Sequence, residues 1–103
     1  MYKLTVFIPE DALEPVKLAL FAAGAGTIGN YEQCCWQVEG RGQFMPISGS
    51  TPHIGRQDEL ETVAEWRVEM VVREAVIQTV IAALKDAHPY ETPAYDVIKV
   101  LNI

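Results

Sequence analysis

The chain has 103 residues, half of them hydrophobic, and carries 14 acidic against 8 basic residues, for a formal charge of -6. A chain of this length forms one domain that buries about 60 to 70 per cent of its unfolded surface, which is enough for one core. The acidic balance argues against nucleic-acid binding, because neutralising phosphates requires clustered lysine and arginine. No stretch approaches the roughly 20 apolar residues of a membrane span, and the N-terminus enters a strand pattern without a signal-peptide cleavage region. We therefore expect a cytoplasmic protein with no membrane partner.

The first quarter of the chain predicts a strand followed by a helix. Residues 2 to 8 carry apolar side chains at alternate positions, which is the period of a strand. An acidic helix start then follows at Glu10 and Asp11, and apolar residues recur at helical spacing until Gly24. Glycine suits the left-handed conformation that commonly caps a helix, so we expect the helix to end there.

Gly24 to Gly29 match the G-x-G-x-x-G spacing of dinucleotide-binding turns. That fingerprint works when a strand feeds the turn and a helix N-terminus receives the pyrophosphate. Here a helix precedes the glycine turn and a strand follows it, so the context favours a helix cap and a bend over a nucleotide site.

The middle of the chain predicts two strands, a loop and a further strand. We interpret residues 31 to 38 as a strand, Gln43 to Pro46 as a short return strand, and Ile47 to Asp58 as a loop. Residues 61 to 73 show the clearest strand alternation, with charged side chains on one face that can pair with neighbouring strands.

The last third predicts a helix and a final strand. Apolar residues from about Glu74 to Ala87 form one stripe, which covers the sheet. The strand from Ala94 to Ile103 is apolar on both faces, so we expect another subunit to cover part of the second face. The order of elements gives a single α+β domain over residues 1 to 103, a ferredoxin-like split βαβ sandwich with an extra β excursion after the second strand and both helices on one side.

The segment His88-Pro-Tyr-Glu-Thr-Pro-Ala-Tyr-Asp96 is the most informative stretch of the sequence. Each proline disfavours helical backbone at the residue before it, so we expect His88 and Thr92 to be extended and the helix to end at about Ala87. His88, Tyr90, Glu91 and Asp96 form a candidate site, because a histidine close to a carboxylate suits metal or ligand binding and acid-base chemistry. The alternative is a structural clamp, in which these groups satisfy backbone amides at a subunit contact.

The other candidate groups are two cysteines and one histidine. Cys34 and Cys35 are adjacent, and neighbouring strand residues point to opposite faces, so they are poorly placed to form a disulfide. Either thiol would bind a soft metal or simply pack as a small apolar group. His53 is expected to be a solvent-exposed loop residue, and it could share a site with His88 only if the loop folds over residues 88 to 96. No Walker loop, HExxH or CxxC motif is present, and no catalytic residue is predicted.

Several spaced motifs together resemble one family. They are the 88 to 96 segment, Gly24-Ala-Gly-x-Ile-Gly29-x-Tyr31 with Cys34, Gly42-x-Phe44-x-Pro46, and Gly49-x-x-Pro52-x-Ile54-Gly55. They are similar to the YqfO-type, or Nif-three-like, small domain. In longer members, such a domain is inserted between two halves of a dinuclear-metal hexameric protein. Those halves are absent from this sequence, so the resemblance implies a stand-alone version and does not carry over their metal ligands or hydrolase-like chemistry.

The resemblance also implies a fold similar to the PII signalling and CutA proteins, which are trimers built by joining sheet edges. Such trimers hold small ligands or metals in clefts between subunits, under a loop that here corresponds to about Gly40 to Gln57. The implied site has the following residues: Tyr31, His88, Tyr90 and Glu91 for a ligand, and Cys34, His53, His88 and Glu91 for a divalent metal ion.

Three functional hypotheses follow from the sequence. The first is a non-catalytic homotrimeric binding or regulatory module, with a divalent metal ion or a small molecule at an intersubunit cleft. The second is a pure interaction or scaffold domain. The third is a small hydrolase-like enzyme that uses His88 and Glu91 as base and acid.

Overall fold

The computed structural model describes residues 1–103 as four strands and two helices. The elements in chain order are β1 (Tyr2–Pro9), α1 (Leu13–Ala22), β2 (Trp36–Phe44), β3 (Glu61–Val72), α2 (Ile77–Ala87) and β4 (Tyr95–Lys99), with a short 3₁₀ turn before each helix. The strands form one antiparallel sheet in the order β2-β3-β1-β4. The predicted α+β ferredoxin-like fold is confirmed.

One hydrophobic core lies between the sheet and the two helices. Alternate residues of β1 and β3 point toward the helices and are fully or almost fully buried, as are the inward stripes of both helices; the set is Leu4, Val6, Ile8, Val68, Met70, Val72, Val16, Leu20, Val80 and Leu84. Burying each such side chain contributes about 1.5 to 3 kcal/mol. Because both helices pack on the same face, no helix covers the opposite face of the sheet.

The β2 strand differs from the sequence interpretation. It is continuous from Trp36 to Phe44, and its register with β3 runs without a break from Trp36 opposite Glu69 to Phe44 opposite Glu61. The separate return strand predicted at Gln43 to Pro46 is wrong, because its first two residues continue β2 and the others enter the loop. Residues 31–35 are irregular instead of forming the start of a strand.

The outer halves of β2 and β3 extend beyond the rest of the sheet. Pro9 at the end of β1 lies opposite Glu65, so residues 41–44 and 61–64 pair only with each other. This two-stranded arm and the loop 45–60 make up the predicted excursion, and they contribute to an elongated shape of 46 × 24 × 24 Å.

The α1 helix ends at a glycine cap, as predicted. Gly24 has φ +109°, and the Ala25 N–H donates to the Leu20 carbonyl at 3.1 Å, which closes the last turn. Gly26 then adopts φ +79°, and a Cβ there would lie 2.9 Å from both the Cys34 carbonyl oxygen and the Phe21 ring. These glycines therefore form a cap and a close backbone contact, with a helix entering the turn instead of a strand.

The α2 helix and β4 frame the proline-rich segment. The helix ends at Ala87, and His88 is extended with φ -71° and ψ 132°, as expected before Pro89. The β4 strand is shorter than predicted, and the apolar side chains of Ile98 and Leu101 are exposed. Coverage of that face by another subunit stays a prediction. Neither helix has the length and apolarity that spanning a bilayer requires.

Candidate ligand-binding cleft

His88 joins the end of α2 to β1. Its side chain is almost entirely buried, its Nε2 lies 2.8 Å from the Phe7 carbonyl oxygen, and its Nδ1 accepts a hydrogen bond from the Tyr90 N–H at 3.1 Å. Because the Phe7 carbonyl accepts at Nε2 and the Tyr90 N–H donates to Nδ1, the ring is neutral and carries its proton on Nε2. Burial lowers the pKa of His88, the Phe7 carbonyl opposes this effect, and the nearby His53 lowers the pKa further. His88 is thus a structural clamp whose two ring nitrogens are both engaged.

A cleft of about 320 Å³ lies beside this clamp. It is bounded by the end of β2, by the loop 45–60 and by residues 90–94, with Glu65 of β3 completing the lining. Phe44 and Glu65 occupy the sheet face opposite the helices, since both follow the alternation that places Trp66 and Val68 in the core. The size is at the lower end of the range for small-molecule sites.

Tyr90 is the central aromatic residue of the cleft. Its ring centroid lies 5.0 Å from that of His88, 5.9 Å from that of Phe44 and 6.3 Å from that of His53. Its hydroxyl is buried without a hydrogen-bond partner. Burial raises the pKa of Tyr90 to about 12, and the carboxylates of Glu65 and Asp11 act in the same direction. The hydroxyl therefore stays protonated at neutral pH and has no hydrogen-bond partner within the chain.

Glu65 places a carboxyl group on the floor of the cleft. Burial raises the pKa of this group, and no salt bridge offsets its charge. The side chain lies over Gly42, where a Cβ would overlap the carboxylate. A glycine at this point of β2 therefore leaves the space that Glu65 occupies.

Glu91 connects the proline-rich segment to the loop. Its Oε2 accepts a hydrogen bond from the Thr51 N–H at 2.9 Å. Together with the contact between the rings of His53 and Tyr90, this bond shows that the loop folds over residues 88–96. His53 and His88 both lie beside the ring of Tyr90, and the nitrogens of His88 are directed to the backbone. A site shared by the two histidines stays a prediction.

Tyr31 and Cys34 lie at the other end of the sheet. The Cys34 N–H donates to the Gly26 carbonyl, and the Gly26 N–H donates to Val71, which pairs with Lys3 at the start of β1. His88 instead bonds to Phe7, four strand positions or about 13 Å away. Tyr31 is exposed beyond this turn, and both cysteines are free.

The structure thus brings together four of the six residues that the sequence nominated. His53, His88, Tyr90 and Glu91 surround or adjoin the cleft, whereas Tyr31 and Cys34 do not reach it within one chain. Phe44 and Glu65 were not nominated, because only the register of β2 on β3 brings them to residues 90–94. The alternation along β3 predicts which face of the sheet carries Glu65, but it does not predict that this side chain lines a cleft.

The donor groups of one chain do not fit a divalent metal ion. No group of three or more His, Cys, Asp or Glu side chains is arranged to hold one. A metal at His88 would have to displace one of two backbone hydrogen bonds. A metal site completed by a second chain stays a prediction.

The sheet order, the position of both helices and the cleft under the β2–β3 loop define an α+β domain with the PII/CutA fold. In agreement, CutA1 from Pyrococcus horikoshii superimposes with a TM-score of 0.70 at 19% identity, covering 100% of this chain and 86% of that chain. At this identity the similarity shows the fold alone. A Bacillus cereus protein related to NIF3 superimposes with a TM-score of 0.83 at 42% identity, covering 98% of this chain and 26% of that one.

Sequence relatives specify the family. Proteins named GTP cyclohydrolase 1 type 2 homolog match at 45% identity in Halalkalibacterium halodurans, over 99% of this chain and 27% of the relative, and at 46% in Bacillus subtilis, over 95% and 26%. No model of a known protein family matches the chain. The chain spans about a quarter of the length of these relatives. It is homologous to the Nif-three-like, or YqfO-type, small domain, and the resemblance drawn from its motifs is confirmed.

Proposed function

We propose that this chain is a self-associating, non-catalytic binding module whose ligand is a small molecule held in the cleft between the loop 45–60 and residues 90–94. The observation that carries this proposal is a preformed cleft lined by Tyr90, whose buried hydroxyl has no hydrogen-bond partner. Leaving such a group unsatisfied costs about 1 to 3 kcal/mol. A ligand that bonds to the hydroxyl removes this cost on binding.

The construction of the cleft supports binding. Apolar side chains of the loop and the ring of Phe44 supply its walls, and a few polar groups converge in it, as is usual for small-molecule sites. The bond between Thr51 and Glu91 is exposed and links the loop to the other wall. Opening that bond offers a path of entry that leaves the sheet intact.

The same geometry favours binding over acid-base catalysis. Both ring nitrogens of His88 are held by backbone groups, and burial lowers its pKa, so the ring is poorly placed to exchange protons with a substrate. Glu91 is exposed and bonded to the loop. Neither residue is arranged as the base or the acid of a catalytic pair.

Self-association is supported by the uncovered sheet face. Trp36 on the edge strand β2 is 61% exposed, and Val38 and Ile98 on the same face are also exposed. Exposed aromatic and branched residues along a sheet edge mark a surface that pairs with another chain. We assign this surface to further copies of the same chain, in the homotrimer that the resemblance implies.

The name of the sequence relatives refers to GTP, and the cleft offers little support for a triphosphate here. Its lining contains no lysine or arginine and does contain Glu65 and Glu91. Phosphate groups require positive or amide-rich surroundings. We therefore do not propose GTP as the ligand of this cleft.

Thermal unfolding tests the binding function. A ligand that binds only the folded state at 100 times its Kd stabilises it by about 2.7 kcal/mol. Across a panel of metal ions, nucleotides, amino acids and amines, at least one small molecule should raise the Tm of the wild type, and Tyr90→Ala should remove that rise. Tyr31→Ala, at the far end of the sheet, is the matched control and should keep it.

Two outcomes of that panel would contradict the proposal. One is that no compound raises the Tm, which together with self-association would favour the scaffold hypothesis. The other is a rise with divalent cations that survives Tyr90→Ala and is lost in Cys34→Ser, which would favour the metal-binding hypothesis.

Light scattering tests self-association. Three chains of 11.4 kDa give a mass of about 34 kDa for the wild type. Trp36→Glu places a carboxylate opposite Glu69 on the proposed contact surface and should reduce the mass to that of one chain. Leu18→Glu, at an exposed position of α1, should leave the mass unchanged. A monomeric wild type, or a Trp36→Glu variant with unchanged mass, would contradict the proposal.

A further inference from the structure

We infer that the cleft binds an organic cation, in which a protonated amine is attached to a small, flat apolar body. This inference rests on the proposed binding function and gives the chemical class of its ligand. It is supported by the charge of the lining, by its aromatic rings and by the free hydroxyl of Tyr90.

The charge of the cleft is negative and uncompensated. Glu65 and Glu91 line it, and no lysine or arginine does. The three salt bridges of the chain connect Lys3 to Glu69, Arg67 to Glu69, and Lys17 to Glu14, so neither cleft carboxylate has a basic partner. Desolvation of an unpaired carboxylate is unfavourable, and a bound cation offsets it. The net charge of -6 also attracts cations to the protein.

The aromatic lining suits an organic cation better than a bare metal ion. The ring centroids of Phe44 and His53 lie 5.9 Å and 6.3 Å from that of Tyr90. Aromatic faces attract an ammonium group within about 6 Å and also stack with flat apolar groups. A divalent metal needs several converging oxygen, nitrogen or sulfur donors, and the chain provides no such group of three.

The Tyr90 hydroxyl provides the direction of binding. It has no partner, and its oxygen is able to accept a hydrogen bond from an ammonium group. Glu65 lines the same cleft as Tyr90 and supplies a carboxylate that pairs with an ammonium group. The apolar body then lies against the loop side of the cleft, which Pro46, Ile47 and Ile54 line.

Three probes of matched shape and different charge test the inference: benzylamine, benzyl alcohol and benzoate. Each is titrated into the full chain while backbone amide shifts are recorded by NMR. Benzylamine, protonated at neutral pH, should shift the amides of Phe44, Thr51 and Glu91 and bind at least about tenfold more tightly than either of the others, as expected for one charge-assisted contact.

Variants separate charge from shape. Glu65→Gln keeps the shape of the side chain and should weaken benzylamine about tenfold while leaving benzyl alcohol unchanged. Glu59→Gln, an exposed loop position outside the lining, should change neither, and the amide spectra of both variants report whether the fold is kept.

The titrations distinguish a failure of the cation inference from a failure of the proposed binding function. If benzyl alcohol or benzoate binds the cleft as tightly as benzylamine, the cation inference is wrong and the proposed binding function stands. If Glu65→Gln leaves the affinity for benzylamine unchanged, the binding role assigned to the Glu65 carboxylate is also wrong. If no probe shifts the cleft amides, the inference fails, and the Tm panel then decides separately whether another small molecule binds.

Discussion

The imidazole of His88 and the backbone of Phe7 are joined by a hydrogen bond of 2.8 Å between Nε2 and the carbonyl oxygen. This bond ties the residue after α2 to the β1 strand, and the second ring nitrogen holds the Tyr90 N–H. The clamp therefore fixes the backbone from which Tyr90 projects into the cleft. Within one short segment, His88 maintains the structure while Tyr90 and Glu91 line the cleft.

Replacing His88 should destabilise the domain. His88→Ala removes both hydrogen bonds and leaves the partly buried Phe7 carbonyl without its side-chain partner, which should lower the free energy of unfolding by about 1 to 3 kcal/mol. Urea denaturation measures this change. His53→Ala removes an exposed ring and should change the stability by less than about 0.5 kcal/mol. Equal effects of the two variants would contradict the clamp.

The clamp should also make stability depend on pH. Burial lowers the pKa of His88 in the folded protein, whereas an unfolded histidine titrates near about 6.5. The unfolded chain thus binds more protons in this range, so the contribution of His88 is complete above that value and is lost as the pH falls toward the folded pKa. Between about pH 7.5 and 5, the advantage of the wild type over His88→Gln should shrink. A constant difference would contradict the lowered pKa of His88 in the folded protein.

Removing the charge of Glu65 should stabilise the free protein. Burial raises the pKa of this carboxyl group, so its ionised form is unfavourable in the folded state at neutral pH. Glu65→Gln should therefore have a higher Tm than the wild type at pH 7, and the gain should disappear as the pH falls toward about 4.3, where an unfolded glutamate takes up its proton. Calorimetry at several pH values measures the gain. A loss of stability at pH 7 would show that Glu65 has a partner in the folded protein.

The two glycines after α1 should differ in their tolerance of a side chain. Both Gly26 and Gly29 have positive φ, but a Cβ meets the Cys34 carbonyl and the Phe21 ring at Gly26 and open space at Gly29. Gly29→Ala should cost about 1 kcal/mol for the backbone conformation alone, and Gly26→Ala at least about 1 kcal/mol more for the overlap. Denaturant midpoints compare the two variants. Similar costs would contradict the close packing of Gly26.

Much of this structure is predictable from the sequence because the signals are local. Strand alternation, the glycine at the end of α1 and the proline after His88 each act within a few residues, and each prediction is confirmed. The β2 strand is the exception. Its glycines indicate a turn when considered alone, whereas pairing with β3 keeps Gly40 and Gly42 extended.

The candidate site is only partly predictable, because the cleft depends on contacts between distant residues. Tyr90 and Glu91 follow from the chemistry of the proline-rich segment. Thr51 and Glu91 are 40 positions apart, and no local pattern indicates that they bond. Phe44 and Glu65 join the cleft through strand register, and Cys34 is excluded from it by the turn that holds it to Gly26.

A crystallographic fragment screen of the purified protein tests the proposed binding function without presuming the identity of the ligand, because it shows where small molecules bind. We expect fragments to collect in the cleft, with a polar atom within about 3 Å of the Tyr90 hydroxyl. The proposed binding function would be contradicted if fragments bound only elsewhere, or if a group of the protein itself, from the same or a neighbouring chain, occupied that hydrogen-bonding position.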